Sequence, residues 1–331
     1  MHFHLTEEQT AIQDAVRGTL AGAWPIERLH AFADGDDDFD RASWDALMAL
    51  CLGGTLVPDS GMGLLDAALA CEVVGEAAAP GPLIGQLLAV AAVAHSDNGA
   101  AKSHLETLAS GEKVATLVHG GSAFVPCARA ADFFLIVDRE AGVRLVAAAD
   151  AAIKAVKAAD RSRPVSKVEI PADAGETLFA ASDPMTGRLA DAALVLVAAD
   201  ALGGAQKVTD MSVAYATERE QFGQPIGRFQ ALKHQLAHMA LDVEPARALL
   251  WYAAYAWDAG LPDAPRAAAM AKAHLCDIYV RSTRAAVAAH GGIGYTWEYG
   301  LHYWFRRAAF DRAWLGSPAA HRARAAVLAG W

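Results

Sequence analysis

The sequence has little of what nucleic-acid binding, metal coordination or disulfide formation would require. Its 331 residues carry 28 Lys and Arg against 38 Asp and Glu, a formal charge of −10, so no basic footprint for nucleic acid or for an anionic membrane is expected. The cysteines lie far apart with no C-x-x-C pair, which predicts buried, reduced thiols and no metal site. They are Cys51, Cys71, Cys127 and Cys276.

Signals for export and membrane insertion are also missing. The first nine residues contain no basic stretch followed by an apolar one, so we expect no secretory signal. Apolar runs such as that at 83–94 are too short to cross about 30 Å of hydrocarbon as a helix. These absences predict a cytoplasmic protein with no membrane-spanning segment.

Alanine and leucine dominate a composition that is 54% hydrophobic, which predicts a helix-rich globular protein with two or three cores. Thr6 followed three residues later by Gln9 is typical of a capping box that begins a helix. Ser43 is expected to cap a second helix, and 64–79 to form a third.

The middle of the chain changes to short apolar runs separated by turn residues, which predict one small sheet. After Pro184 the helical period returns and predicts a four-helix bundle. The predicted fold class is therefore mainly α with a small β-domain, divided at 1–112, 113–178 and 184–331. The strand runs are 114–118, 131–137, 143–146 and 165–170, and the bundle helices are 189–217, 229–259, 264–289 and 301–315.

Two glycine-bearing, charged segments interrupt the long helices, where bundles commonly build cofactor sites. In the first, at 215–230, the planar fork of Arg219 suits a phosphate, and Gly223 and Gly227 permit close backbone approach. An alternative stays open, in which Arg219 pairs with a nearby acid and the glycines only turn the chain.

The second segment begins His290-Gly-Gly-Ile-Gly-Tyr-Thr296, and its exposed backbone N–H groups could hold a pyrophosphate. It is not a dinucleotide fingerprint of the Rossmann type, because no strand precedes it. The aromatic residues that follow are expected to be core rather than cofactor contacts. They are Trp297, Tyr299, Tyr303 and Trp304.

Three stretches resemble signatures of the acyl-CoA dehydrogenase family, in the family's order: residues 5–9 (LTEEQ), 215–234 (YATEREQFGQPIGRFQALKH) and 290–298 (HGGIGYTWE). The likeness is strong over 185–325 and moderate over 1–112. It implies a helical amino-terminal domain, a middle β-domain and a carboxy-terminal four-helix bundle. It also implies FAD as cofactor, an acyl-CoA substrate, α,β-desaturation, and electron-transfer flavoprotein as a candidate partner.

The resemblance assigns roles to five residues of the two segments. Arg219 would reach the FAD pyrophosphate of a neighbouring subunit, Phe222 would lie beside its adenine or flavin end, and Gln230 would contact the same cofactor. Gly291 and Gly292 would pack their backbone against the ADP half.

The family's catalytic glutamate occupies one of two places, and this chain has Ala193 at the first and Leu315 at the second. Neither can accept a proton. Asp191 is the nearest acid to the first place, but two residues turn a helix by about 200°. Asp311 lies four residues before the second; both acids are expected to be solvated or ion-paired. Ser317 falls where the family has a hydroxyl residue near its own FAD.

Two further departures concern the cofactor's surroundings. Between Thr116 and Phe124 the chain lacks the Thr-Glu-Pro and Gly-Ser-Asp segments that line the flavin ring in the family, so its middle β-domain is truncated. Ala288 stands where the family usually has a glutamine facing the adenosine. The features for a neighbour's FAD remain, whereas those facing a bound acyl chain are gone.

This combination resembles the truncated subunit of heteromeric members, including those acting on CoA-linked steroid side chains, in which two unlike subunits share one FAD per pair. It predicts an α2β2 assembly in which a full-length acyl-CoA dehydrogenase subunit supplies the base and the flavin wall. Two alternatives stay open. One is a self-sufficient flavoenzyme with another base or hydroxylase chemistry, and the other is a non-catalytic assembly scaffold.

Overall fold

The computed structural model describes residues 4–120 and 123–331. Residues 1–3, which belong to the stretch expected to carry no secretory signal, therefore lie outside the described residues. So do Gly121 and Ser122, which belong to the segment expected to lack the flavin wall. The helices before the first strand are α1 (Glu7–Ala23), α2 (Ile26–Asp34), α3 (Arg41–Met48), α4 (Leu64–Glu76), α5 (Leu83–His95), α6 (Gly99–Lys102) and α7 (Leu105–Ala109).

The amino-terminal helices begin where capping groups satisfy their first amides. The Thr6 hydroxyl accepts from Gln9 N at 3.2 Å and the Gln9 side chain accepts from Thr6 N at 3.1 Å, which confirms the predicted capping box. The prediction that Ser43 caps α3 is wrong. The Asp40 carboxylate accepts from Ser43 N at 2.7 Å instead, because an ionised acceptor binds an end amide more strongly than a hydroxyl does.

The middle region forms two sheets rather than the one predicted. The strands are β1 (Ala115–His119), β2 (Phe124–Pro126), β3 (Phe133–Asp138), β4 (Gly142–Ala147), β5 (Ala152–Val156), β6 (Val165–Glu169) and β7 (Glu176–Phe179). One sheet has the order β1-β3-β4-β7, with β1 parallel to β3 and the other pairs antiparallel; the other is antiparallel with the order β2-β6-β5. The second sheet was missed because β2 is three residues long and ends in proline.

Long helices make up the rest of the chain, and the first four match the predicted bundle in type and order, whereas the fifth, Pro318–Leu328, was not predicted. They are α8 (Pro184–Glu218), α9 (Gln230–Asp258), α10 (Ala264–His290), α11 (His302–Ala313) and α12 (Pro318–Leu328), with a hairpin of β8 (Glu220–Gln221) and β9 (Gln224–Pro225) between α8 and α9. The architecture is thus mainly α with a small β-region. The three domain boundaries stay a prediction.

Helix α8 is the centre of the molecule and packs against α4, α9 and α10. Gly203 on α8 permits close contact with α4, since a methyl group there would overlap the carbonyl of Glu72. Among the described residues α8 alone is long and apolar enough to cross a membrane, but 94% of its most apolar window is buried within the protein. That is the environment of a core helix.

The cysteines follow the prediction with one exception. All four are free thiols, and Cys71, Cys127 and Cys276 are buried, whereas Cys51 is exposed. The exposed position follows from the turn after α3, where Cys51 adopts a left-handed conformation at φ 60°. Burial raises the pKa of Cys127 and of Cys276 to about 12, so neither is a thiolate at neutral pH.

Candidate functional site

A tight hairpin follows α8 and carries two of the predicted cofactor residues. Glu220 and Gln221 pair with Pro225 and Gln224, leaving Phe222 and Gly223 at the tip with φ of 54° and 77°. Positive φ at both central residues is the type I′ arrangement, which suits glycine but is unusual for phenylalanine. Phe222 is nonetheless 93% exposed, so its ring is presented away from the chain's own core.

Arg219 ends α8 and is anchored through its backbone only. Its N–H donates to the Tyr215 carbonyl at 2.9 Å and its own carbonyl accepts from Ile226 N at 2.8 Å. No carboxylate of the described residues lies within 4.0 Å of its exposed guanidinium, so the pairing considered as an alternative is not observed there. Gln230 is the first, exposed residue of α9, where helix amides point outward.

An aromatic stack joins this hairpin to the glycine segment after α10. The rings of Tyr215 on α8 and His290 on α10 stack with centroids 4.5 Å apart, and Tyr299 closes the other side. His290 Nδ1 lies 2.7 Å from the Ala286 carbonyl and Nε2 lies 2.9 Å from the Tyr299 hydroxyl. Because a carbonyl only accepts, Nδ1 carries the proton and Nε2 accepts from Tyr299.

Burial lowers the pKa of His290, which favours this neutral form. The stack therefore holds the end of α8 against the start of the glycine segment. We use "hairpin face" for the surface formed by residues 219–230 and 291–295.

Gly291 and Gly292 are exposed on the hairpin face. Gly291 adopts φ 63°, which explains its glycine, but Gly292 has no positive φ, and a methyl group on it would meet nothing within 4 Å. The chain's own packing therefore gives no reason for glycine at 292, whereas a ligand lying flat against the backbone does. With an unpaired guanidinium and an exposed aromatic ring nearby, the hairpin face suits an aromatic, phosphate-bearing group such as FAD.

Ser317 is placed apart from the hairpin face, at the start of α12. Its hydroxyl accepts from Ala320 N at 3.2 Å and caps that helix. Just before it, the carbonyl of Leu315 accepts from His321 Nε2 at 2.8 Å. Ser317 thus has a structural role within the chain.

The two base positions lie inside the packed core. Ala193 is 0% exposed and Leu315 is 4% exposed, and both belong to the main hydrophobic cluster. Asp200 lies two helical turns beyond Ala193 on the same face of α8.

Asp200 belongs to a network of buried charges that we term the buried ion cluster (Arg163, Asp200, Lys272, Arg307 and Asp311). Arg307 donates to both Asp200 oxygens at 2.9 and 2.6 Å, and Arg163 Nη2 reaches Asp200 at 2.7 Å. Arg163 also pairs with Asp311, whose backbone carbonyl accepts from Lys272 Nζ at 2.7 Å.

The pKa values of the two carboxyl groups of the cluster are shifted in opposite directions. Burial alone would raise the pKa of Asp200, but Arg163 and Arg307 outweigh burial and lower it to about 2. For Asp311 burial prevails over the same arginines and raises the pKa well above its usual range. The two carboxyl groups are thus coupled through the guanidinium groups that lie between them.

A small cavity borders the buried ion cluster. It has a volume of about 20 Å³ and is lined by Asp200, Arg163 and Arg307 of the cluster together with Trp314 and Thr116 of β1. That volume is of the order of a single water molecule and far below the 300–1,000 Å³ typical of ligand pockets.

The two candidate acids are both engaged elsewhere. Asp191 is buried and paired with Arg139 at 2.6 Å and Arg324 at 2.8 Å. Asp311 is fully buried within the cluster. Of the aromatic residues after the glycine segment, Tyr303 and Trp304 are core as expected, whereas Trp297 is 37% exposed.

Sequence reasoning missed the buried ion cluster and the His290 stack. A signal for the first was present, since Asp200 is the one acid in the apolar run 192–205 and Arg307 lies on a helix with buried aromatics. A charge on the buried face of a helix predicts a buried partner. The stack could not be found, because its members are 75 and 9 residues apart.

Comparison with known proteins agrees with this architecture. Residues 187–327 match the acyl-CoA dehydrogenase C-terminal domain. The chain is 31% identical to acyl-CoA dehydrogenase IpdE2 of Mycolicibacterium smegmatis over 95% of its own length and 96% of that protein's.

Solved structures give the same result. A chain of the Tcur3481-Tcur3483 steroid ACAD variant superposes with a TM-score of 0.88 at 25% identity, covering 98% of both chains. The ChsE4-ChsE5 complex of Mycobacterium tuberculosis has the same fold, with a TM-score of 0.85 at 22% identity, covering 98% of this chain and 97% of that one. The chain belongs to the acyl-CoA dehydrogenase family, a family of oxidoreductases whose cofactor is FAD.

Proposed function

We propose that this chain is one subunit of an FAD-dependent acyl-CoA dehydrogenase, that it contributes half of an FAD site, and that a full-length partner subunit supplies the catalytic base. One observation carries the proposal. Both places where the family has its glutamate are apolar, buried and packed, at Ala193 and Leu315.

The reaction is α,β-desaturation of an acyl-CoA thioester. A carboxylate base would take the proton of the α-carbon, and FAD, when bound, would supply the acceptor for the hydride of the β-carbon. A positioned base contributes about 10²–10⁴ in rate. Asp191 is held by two arginines and Asp311 is sealed in the core, so neither can approach a thioester.

The role proposed for this chain lies on its hairpin face. Arg219 neutralises pyrophosphate oxygens of a cofactor held mainly by the partner, Phe222 packs on its ring system, and Gln230 contacts the same cofactor. Gly291 and Gly292 admit the ADP half against the backbone. An exposed aromatic ring on a rigid two-residue hairpin supports contact with a group outside the chain.

The relatives support the assembly and the substrate class. Two of the structures that share this fold are named as pairs, Tcur3481-Tcur3483 and ChsE4-ChsE5, and the first is a steroid ACAD. We accordingly propose an α2β2 heterotetramer in the cytoplasm that acts on a steroid-like acyl-CoA in lipid degradation. Electron-transfer flavoprotein is the proposed acceptor.

The test compares the chain alone with the chain co-expressed with a full-length homologue. Flavin absorbance gives FAD per chain, and enoyl-CoA formation gives turnover. We expect no turnover alone, and one FAD for each pair in the complex. Turnover and full FAD occupancy by the chain alone would refute the proposal.

Substitutions in the complex separate the alternatives. Arg219→Ala should weaken FAD binding about tenfold or more, because a charge-assisted contact is lost. Arg322→Ala on α12, outside the hairpin face, serves as control. Unchanged FAD affinity in Arg219→Ala would favour a scaffold. Loss of turnover in a homo-oligomer through Asp191→Ala or Asp311→Ala, with folding intact, would favour a self-sufficient enzyme.

A further inference from the structure

A further cavity lies away from both the base positions and the exposed side of the hairpin face. It has a volume of about 610 Å³, within the range of small-molecule sites. Helices α1, α2, α4 and α8 enclose it, together with the residues just before α11. None of the residues assigned to the family's cofactor or base borders it.

The lining combines an apolar floor with charged groups at the rim. Leu20, Trp24, Leu29, Val73 and Trp304 are buried residues whose side chains border the space. An apolar ligand that fills the space would therefore gain van der Waals contact with an apolar lining.

The rim charges differ in how they are satisfied. Arg17 donates to both oxygens of Glu76 at 3.0 and 3.2 Å, so those two charges neutralise each other. Lys207 is half-buried, and no carboxylate of the described residues lies within 4.0 Å of its ammonium. Glu298 is exposed and remains hydrated. Lys207 is therefore the positive rim charge that has no carboxylate partner among the described residues, and an incoming carboxylate would supply one.

We propose that this cavity binds an amphipathic monocarboxylate, with its apolar body on Trp24 and Leu20 and its carboxylate on Lys207. The site is separate from the FAD and thioester sites and does not depend on the proposed function. It nevertheless lies one side chain from the hairpin face, since Tyr299 borders the cavity and donates its hydroxyl proton to His290.

The binding test uses the full chain and isothermal titration with dodecanoate below its micelle concentration. Dodecanol is the uncharged probe of equal chain length, and dodecyltrimethylammonium the cationic one. We expect dodecanoate to bind about fivefold to tenfold more tightly than dodecanol, as one charge-assisted contact implies. Equal affinities, or tighter binding of the cationic probe, would overturn the proposal.

Variants locate the site. Lys207→Met keeps the aliphatic stem and should remove the preference for dodecanoate over dodecanol, whereas Lys102→Met on exposed α6 should not. Ala21→Phe places a ring at the cavity mouth from an exposed helix position and should weaken both probes at least tenfold; the matched control is Ala11→Phe, on the same helix outside the cavity. Unaltered binding in Lys207→Met and Ala21→Phe would refute the assignment.

Discussion

Asp200→Asn tests how strongly the buried ion cluster depends on the carboxylate that both arginines share. The substitution conserves size but removes the charge that pairs with Arg307 and with Arg163, leaving Asp311 as the remaining carboxyl group of the cluster. Breaking a buried pair by removing one partner costs roughly 3–5 kcal/mol, because the remaining charge is buried and uncompensated. We expect a loss of that size in the free energy of unfolding, measured by urea denaturation followed by circular dichroism.

The control for this prediction is a carboxylate with equally many arginine partners at the surface. Asp277 accepts from Arg312 and Arg322 at 2.8 Å each, but those side chains are about half exposed. Asp277→Asn should cost less than about 1 kcal/mol. If Asp200→Asn lowers the free energy of unfolding by no more than Asp277→Asn does, the reasoning about the buried ion cluster is wrong.

The remaining predictions concern space and protonation. Leu315→Glu should not give the isolated chain any turnover, since position 315 is 4% exposed and packed in the main hydrophobic cluster, and enoyl-CoA formation checks this. Gly292→Val should leave the melting temperature unchanged yet reduce the flavin occupancy of the complex. Gly204→Ala, whose methyl group would overlap Tyr279, should instead lower the melting temperature. Unchanged flavin occupancy in Gly292→Val would contradict the cofactor role. Burial lowers the pKa of His321 to about 4 despite its hydrogen bond to the Leu315 carbonyl. The contribution of neutral His321 to the free energy of unfolding is therefore complete above pH 6.5 and is lost as the pH falls towards 4. Between pH 7 and pH 5 the free energy of unfolding should fall less in His321→Gln than in the parent, and equal decreases would count against this cause.

The sequence was sufficient for the features that depend on local patterns. The four long helices follow from hydrophobic periodicity, and the start of α1 from the spacing of Thr6 and Gln9, because both signals lie within a few turns of chain. The family resemblance located Arg219 and the glycine segment for the same reason. Their proposed roles stay predictions.

Features that depend on distant residues could not be predicted. The cap of α3 was assigned to Ser43 because sequence spacing alone does not rank two neighbouring capping residues. The second sheet pairs β2 with β6, about 40 residues later, and β2 carries no strand signal of its own. Likewise, the absence of a glutamate at Ala193 and Leu315 was readable, but the partners of Asp200 come from distant parts of the chain, Arg163 in the β-region and Arg307 on α11.

The buried ion cluster also bears on how such a chain changes over evolutionary time. Asp200 and its two arginines hold one another in the core, and removing any one of them alone strands the opposite charges inside the protein. Substitutions at these three positions are therefore tolerated together more readily than one at a time.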